Sequence, residues 1–202
     1  NPSGMVTEAA IKKFGWKKTI GLCNVPTIAQ MKEPGNIGYK KEELTYQFAG
    51  LNHFHWHRAF NRKGEEVTEQ ILEHINEKEG GTPVNIYQSP FPKELLDSMK
   101  LVPCGYHSYY YLAKEMLEHS LQEFQRGGTR AEQMYQVEKE LFELYARPEL
   151  HEKPEQLGRR GGAYYSDAAC ECISAIYNNK QLRMVVSTEN KAAISCQPPD
   201  SI

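Results

Sequence analysis

Two stretches of this chain have little choice but to be helical. Apolar residues fall at Tyr109, Leu112, Met116, Leu117, Leu121 and Phe124, and again at Met134, Val137, Leu141, Phe142 and Tyr145. Intervals of three and four line one face of an α-helix, so the spacing predicts helices over 109–125 and 130–145, hinged or capped at Gly127-Gly128. Shorter helices are expected over 6–14, 27–31, 68–76 and 167–177, the last capped by Ser166. Strand-like runs are few: 18–22, 44–49, 182–186, and a hairpin over 58–67 around Lys63-Gly64. Glu79-Gly80-Gly81-Thr82-Pro83 ends one helix, and the polar, Pro-containing stretch 152–160 reads as a mobile loop. With no internal repeat, these elements describe a single α+β domain, helix-rich with a small mixed or antiparallel sheet.

Charge narrows the partners. The chain carries 24 Lys+Arg against 26 Asp+Glu, both signs interspersed, for a formal net charge of −2. No basic field exists to hold a nucleic acid. No apolar run has the length of a membrane span, and residues 1–7 lack the zones of a signal peptide, so a cytoplasmic location is expected. Five irregularly spaced cysteines, Cys23, Cys104, Cys170, Cys172 and Cys196, suit a reduced compartment and free thiols. The opening Asn1-Pro2-Ser3-Gly4, without an initiator Met, and the close at Ser201-Ile202 read as a piece of something longer, truncated at its C-terminal end.

Several residues are suited to chemistry, and each has a plainer reading. Cys23 and His53 end two predicted strands, where a thiolate and an imidazole can share a divalent metal and leave positions open for substrate. A free Cys is as readily a small buried apolar residue. His53, His55 and His57 alternate, so an extended segment would point all three to one face as a rival metal site. Alternatively, His55 and His57 are half-buried strand residues flanking Trp56. Tyr164 and Tyr165 precede a predicted helix start, whose amides favour an anion, so a phenol there can act as a base. Among 12 Tyr, however, most pack with a wet hydroxyl. Tyr106, Tyr109, Tyr110 and Tyr111 offer a sugar-stacking wall or simple core packing. Cys170 and Cys172, two apart on a helix, face different ways and share no metal.

Four motifs occur in a recognisable order: Asn1-Pro2-Ser3-Gly4-Met5-Val6-Thr7-Glu8-Ala9, Gly21-Leu22-Cys23-Asn24-Val25-Pro26, Gly50-Leu51-Asn52-His53, and Arg160-Gly161-Gly162-Ala163-Tyr164-Tyr165-Ser166-Asp167. Together they resemble the family 4 glycoside hydrolases, and specifically their 6-phospho-β-glucosidases. The stretch from Gly128 through Asn178 is similar to the branch acting on phosphorylated cellobiose and chitobiose type sugars. The resemblance weakens after Lys180, where the family usually carries an Asn-rich segment with a Gly and then Asn-x-Pro; this chain has Ser187-Thr188-Glu189-Asn190-Lys191-Ala192 and Cys196-Gln197-Pro198.

The resemblance implies a lactate/malate dehydrogenase-like fold, in which an N-terminal Rossmann domain binds NAD and a second α+β domain completes the site. Residues 1–202 would be that second, catalytic and substrate-binding domain. No Gly-x-Gly-x-x-Gly turn follows a strand here, so the fragment alone is expected to bind NAD poorly and to be inactive. The implied reaction removes hydride from C3 of the 6-phosphoglucosyl ring, takes the C2 proton, eliminates the glycosidic oxygen from C1, adds water and returns the hydride. NAD-dependent glycosidases of this kind stand outside the two-carboxylate scheme, so paired catalytic carboxylates are not required. By the resemblance, Cys23 and His53 ligate manganese and Tyr165 is the base. Asn24 stands where α-specific relatives carry an Asp acid, which favours β-linked substrates and gives Asn24 a catalytic role in polarising sugar hydroxyls. Asn1, Asn24 and Asn52 would bind the sugar, and a homodimer or homotetramer is expected. The competing readings are an inactive oligomerisation domain of the same fold, a 2-hydroxy acid dehydrogenase-like oxidoreductase, and a zinc hydrolase built on the three histidines.

Overall fold

The computed structural model describes residues 3–77, 90–191 and 195–200. Helix α1 (Ser3–Glu8) widens into a π-helical turn over Ala9–Lys13, and α2 (Asn24–Asn36) follows. Pro26 is tolerated in α2 because it occupies the first turn, where amides have no intrahelical acceptor. Strands β1 (Leu44–Leu51) and β2 (Phe54–Asn61) form an antiparallel hairpin paired from Leu44↔Asn61 to Leu51↔Phe54, with Asn52 and His53 as its turn. The short β3 (Val102–Pro103) pairs antiparallel with β2 and completes a three-stranded sheet of order β1-β2-β3.

Helix α3 (Thr68–Glu77) lies between β2 and β3 in sequence, as does α4 (Lys93–Met99). After the sheet come α5 (Ser108–Tyr111), α6 (Ala113–Gln125), α7 (Arg130–Tyr145), α8 (Glu155–Arg160) and α9 (Tyr165–Tyr177). The domain is therefore α+β, helix-rich, with a small antiparallel sheet, as the apolar spacing implied.

Period-two alternation drives the hairpin into the core. His55, His57 and Ala59 of β2 are buried, whereas Phe54 and Arg58 are exposed. Leu44 and Ala59 pack against Val67, Ile71 and Leu72 at the α3 end and against Leu96 and Val102. A second, small cluster joins Leu112 and Met116. At Gly50 (φ 129°) the backbone approaches its partner strand so closely that a Cβ would meet the Phe54 carbonyl and stand 2.8 Å from His55 Cα. Only glycine fits there.

The structure corrects several expectations. The runs 18–22 and 182–186 are not strands; their neighbourhood contributes one isolated bridge, Gly21↔Ser187, because neither run finds a sheet edge to extend. Arg58 belongs to β2, so the expected 58–67 hairpin shrinks to a tight turn over Asn61–Glu65 closed by the Phe60↔Glu66 bridge. The helix expected over 109–125 breaks at Leu112 (φ −123°, ψ 38°) into α5 and α6. Part of the expected loop 152–160 is α8. Helix α9 starts at Tyr165, and its N-cap is Tyr164 rather than Ser166. The breaker at 79–83 lies outside the described residues.

Candidate active site

The candidate site gathers at the N-terminus of α2. Cys23 is its N-cap residue, held in extended backbone (φ −119°, ψ 137°), with a thiol that makes no capping hydrogen bond. Half-buried, Cys23 lines a cleft of about 320 Å³ together with Gly50, Asn52, His55, Val185 and Ser187. That volume is at the lower end of small-molecule sites, roughly 300–1,000 Å³. Burial pushes the Cys23 thiol up, against the opposing Val25 amide, so ligation requires a cation to draw off the proton.

The next residue ties the site to a distant part of the chain. Asn24 is buried, and its Nδ2 donates to the Ala163 carbonyl at 3.0 Å. The loop it grips is sharply bent: Gly161 (φ 96°), Gly162 (φ 84°) and Tyr164 (φ 64°) all occupy the positive-φ region, which two glycines make accessible. The bend delivers Tyr165 to Cys23 and Asn24. Burial and then the Cys23 charge raise the Tyr165 phenol, while the Asn24 backbone N–H lowers it. The amide that favours the anion belongs to α2 rather than to the helix that Tyr165 begins, and burial outweighs it, so the phenol keeps its proton at neutral pH.

His53 sits at the hairpin turn with φ 62° and stacks face to face on Tyr106, ring centroids 4.4 Å apart and planes 10° from parallel. Burial lowers its pKa, leaving a neutral imidazole, the form that binds metals. Asn52 donates from Nδ2 to Ser3 Oγ at 3.2 Å, and Ser3 Oγ lies 3.3 Å from Ser187 Oγ. This chain of small polar groups closes the cleft between α1, the hairpin and residue 187. Asn1 lies outside the described residues.

Cys23 and His53 supply one sulfur and one nitrogen. Among the described residues, no group of three or more His, Cys, Asp or Glu is placed to hold a metal. The rival triple-histidine site does not form. His53 leaves the strand for the turn, while His55 and His57 are buried with rings 6.1 Å apart, and His57 Nε2 lies 3.1 Å from both Glu33 carboxylate oxygens. The two histidines are thus fully buried rather than half-buried.

Some neighbours escaped the sequence reading. Tyr106 supports the His53 ring and stacks on Tyr109 at 6.3 Å, whereas Tyr109, Tyr110 and Tyr111 are exposed, so Tyr109 is not core. Cys104 is buried near Cys23 and donates its N–H to the His55 carbonyl at 2.9 Å. His107 is fully buried, stacked on Phe54 at 4.2 Å and edge-on to Trp56 at 4.5 Å. Only the density of aromatics over 104–111 hinted at this layer.

Residues 48–202 match the family 4 glycosyl hydrolase C-terminal domain. The chain belongs to glycosyl hydrolase family 4. Within the family it is 46% identical to the probable 6-phospho-beta-glucosidase of Bacillus subtilis (strain 168), a match covering 100% of this chain and 46% of the relative. It is 40% identical to the 6-phospho-beta-glucosidase of Escherichia coli (strain K12), over 99% of this chain and 45% of that protein. Among solved structures, the Thermotoga maritima 6-phospho-beta glucosidase with manganese, NAD+ and glucose-6-phosphate superposes with a TM-score of 0.75 at 31% identity, covering 100% of this chain and 46% of that one. The chain therefore spans about half the length of the curated relatives it matches. The architecture is the dehydrogenase-like second domain of family 4.

Proposed function

We propose that residues 1–202 form the catalytic and substrate domain of a cytoplasmic 6-phospho-β-glucosidase, acting on a phosphorylated disaccharide, whose nucleotide-binding domain lies outside this chain. The observation that carries the reading is the convergence of Cys23, Asn24 and Tyr165 on the first turn of α2, beside a cleft lined by Cys23, Gly50, Asn52 and His55. The 6-phospho-beta-glucosidase relatives and the manganese, NAD+ and glucose-6-phosphate of the Thermotoga maritima structure support the choice of substrate and cofactors.

When bound, NAD would take up a hydride from the sugar and give it back, and manganese would act as a Lewis acid that makes the C2 proton acidic. Cys23 and His53 would hold the ion, with the neutral His53 ring kept in place by Tyr106. The Tyr165 phenol would first pass its own proton through water to the departing glycosidic oxygen, take the C2 proton as the C1–oxygen bond breaks, return that proton to C2 as water adds its hydroxyl at C1, and be reprotonated by the water's remaining proton. Asn24 holds the Tyr165 loop through Ala163 and presents its backbone N–H to the phenol. Asn52 and Asn1 contact ring hydroxyls, with Ser3 orienting the Asn52 amide.

The test is turnover of a chromogenic 6-phospho-β-glucoside by the full-length protein supplied with NAD and manganese. Retained hydrolysis after Cys23→Ser would overturn the reading, and absence of turnover in the unmodified protein would leave an oligomerisation domain instead.

A further inference from the structure

His55 lies in the same cleft as Cys23 and Asn52, yet no step of the reaction needs it. Its side chain belongs to a residue only 6% exposed, and among the described residues neither ring nitrogen has a hydrogen-bond partner. An imidazole left in that state costs stability, because its nitrogens give up water on burial and gain nothing in return. His57 on the same strand face recovers part of that cost from Glu33 at 3.1 Å, and His107 is stacked inside the aromatic layer against Phe54. His55 instead borders space large enough for a ligand.

The residue is also held still. Its backbone carbonyl accepts the Cys104 N–H at 2.9 Å, and Gly50 opposes it on β1. Phe48 meets the imidazole edge-on, with ring centroids 5.2 Å apart. A polar group fixed on a strand beside a mostly apolar cleft is how small-molecule sites set the orientation of what they bind. Burial lowers the His55 pKa to about 3, so the ring is neutral, with one N–H to donate and one lone pair to accept.

The rest of the lining says which part of a ligand belongs there. Among the described residues it contains no Lys or Arg, and its charged side chain, Glu189, is an acid 3.9 Å from Lys191. Such a lining opposes a phosphate and matches a hydroxyl, which donates and accepts as the neutral ring does. On a 6-phosphoglucoside, C1 carries the leaving group, C2 and C3 react, and C6 bears the phosphate, so C4 carries the ring hydroxyl left for a binding contact. We infer that His55 is a substrate-binding residue that hydrogen-bonds the C4 hydroxyl of the sugar and selects for it. His55 takes this role only if the cleft receives a 6-phosphoglucoside, the reading on which the inference rests.

Calorimetric binding of glucose 6-phosphate and of its 4-deoxy analogue to the full-length protein, loaded with NAD and manganese, separates a contact from packing. The unmodified protein should bind the analogue about tenfold more weakly, the usual loss when a buried polar group is left without its partner. In His55→Phe, and independently in His55→Leu, glucose 6-phosphate should weaken by a similar factor and the two ligands should bind alike. A packing residue would shift both affinities together and keep their ratio, and that result overturns the inference. So does glucose 6-phosphate affinity that neither variant moves, or an unmodified protein that binds neither ligand. Hydrolysis of a chromogenic 6-phospho-β-glucoside reads the glycosidase assignment separately. No turnover with the predicted ratios intact discards that assignment and keeps the His55 contact, whereas turnover with a ratio unchanged by the variants does the reverse.

Discussion

Asn24→Ala separates two roles that one asparagine could have. Its Nδ2 donates to the Ala163 carbonyl at 3.0 Å across 139 residues of sequence, and the residue is 7% exposed. Removing the amide strands a partly buried carbonyl and releases the bend through Gly161, Gly162 and Tyr164 that aims Tyr165. The lost hydrogen bond and desolvated carbonyl cost about 1–3 kcal/mol of folding stability. A displacement of the base of the order of 1 Å costs about a hundredfold in the chemical step. For full-length enzyme with NAD, manganese and a chromogenic 6-phospho-β-glucoside, kcat should therefore fall about a hundredfold while KM moves little, because the loss lies in the transition state. A slowed loss of the C2 hydrogen would show as a larger isotope effect with substrate deuterated at C2. If Asn24→Ala instead raises KM at unchanged kcat, the side chain is a ground-state sugar contact and the positioning argument is wrong. Asn24→Asp is a second check: a carboxylate cannot donate to Ala163 and repels its carbonyl, so kcat should fall at least as far.

Other residues have equally direct readouts. Cys23→Ser should abolish stoichiometric manganese binding, followed by the free-ion electron paramagnetic resonance signal; an unchanged titration would remove Cys23 from the ligand set. Tyr165→Phe keeps the ring but removes the base, so turnover should drop by about 10² to 10⁴ with manganese affinity retained. Glu33→Ala leaves His57 Nε2 buried without the carboxylate 3.1 Å away, and should lower unfolding free energy by about 3 kcal/mol in a urea titration. Burial holds His55 at about 3, far below its ordinary 6.5, and also lowers His107. Their folded-state values are depressed, so the unfolded chain binds the protons first: stability is full above pH 6.5 and is lost as pH falls below it. For His55 alone the slope is roughly 1.4 kcal/mol per pH unit, and His55→Phe should flatten the urea midpoint between pH 6.5 and 5.

The residues easiest to read from sequence were those whose neighbours along the chain decide their conformation. The α7 helix follows from its three-and-four spacing, and Thr129 with Glu132 forms the capping box that starts it. Leu44 to Leu51 alternates and forms a strand because a hairpin turn lets it pair at once. Lys18 to Leu22 has as good a strand composition, yet among the described residues its one bridge is to Ser187, and strand formation depends on a partner that composition does not reveal. The site divides in the same way. Gly161-Gly162 announces a bend, and the bend is there at φ 96° and 84°. That the bend is held by Asn24, and that His53 rests on Tyr106, are contacts spanning 139 and 53 residues, and no local pattern encodes them. The side chain of Asn24 matters for the same reason that its role was illegible. A residue that joins the Cys23 segment to the Tyr165 segment has to be polar, buried and specific, and a buried Asn read alone looks like a substrate contact.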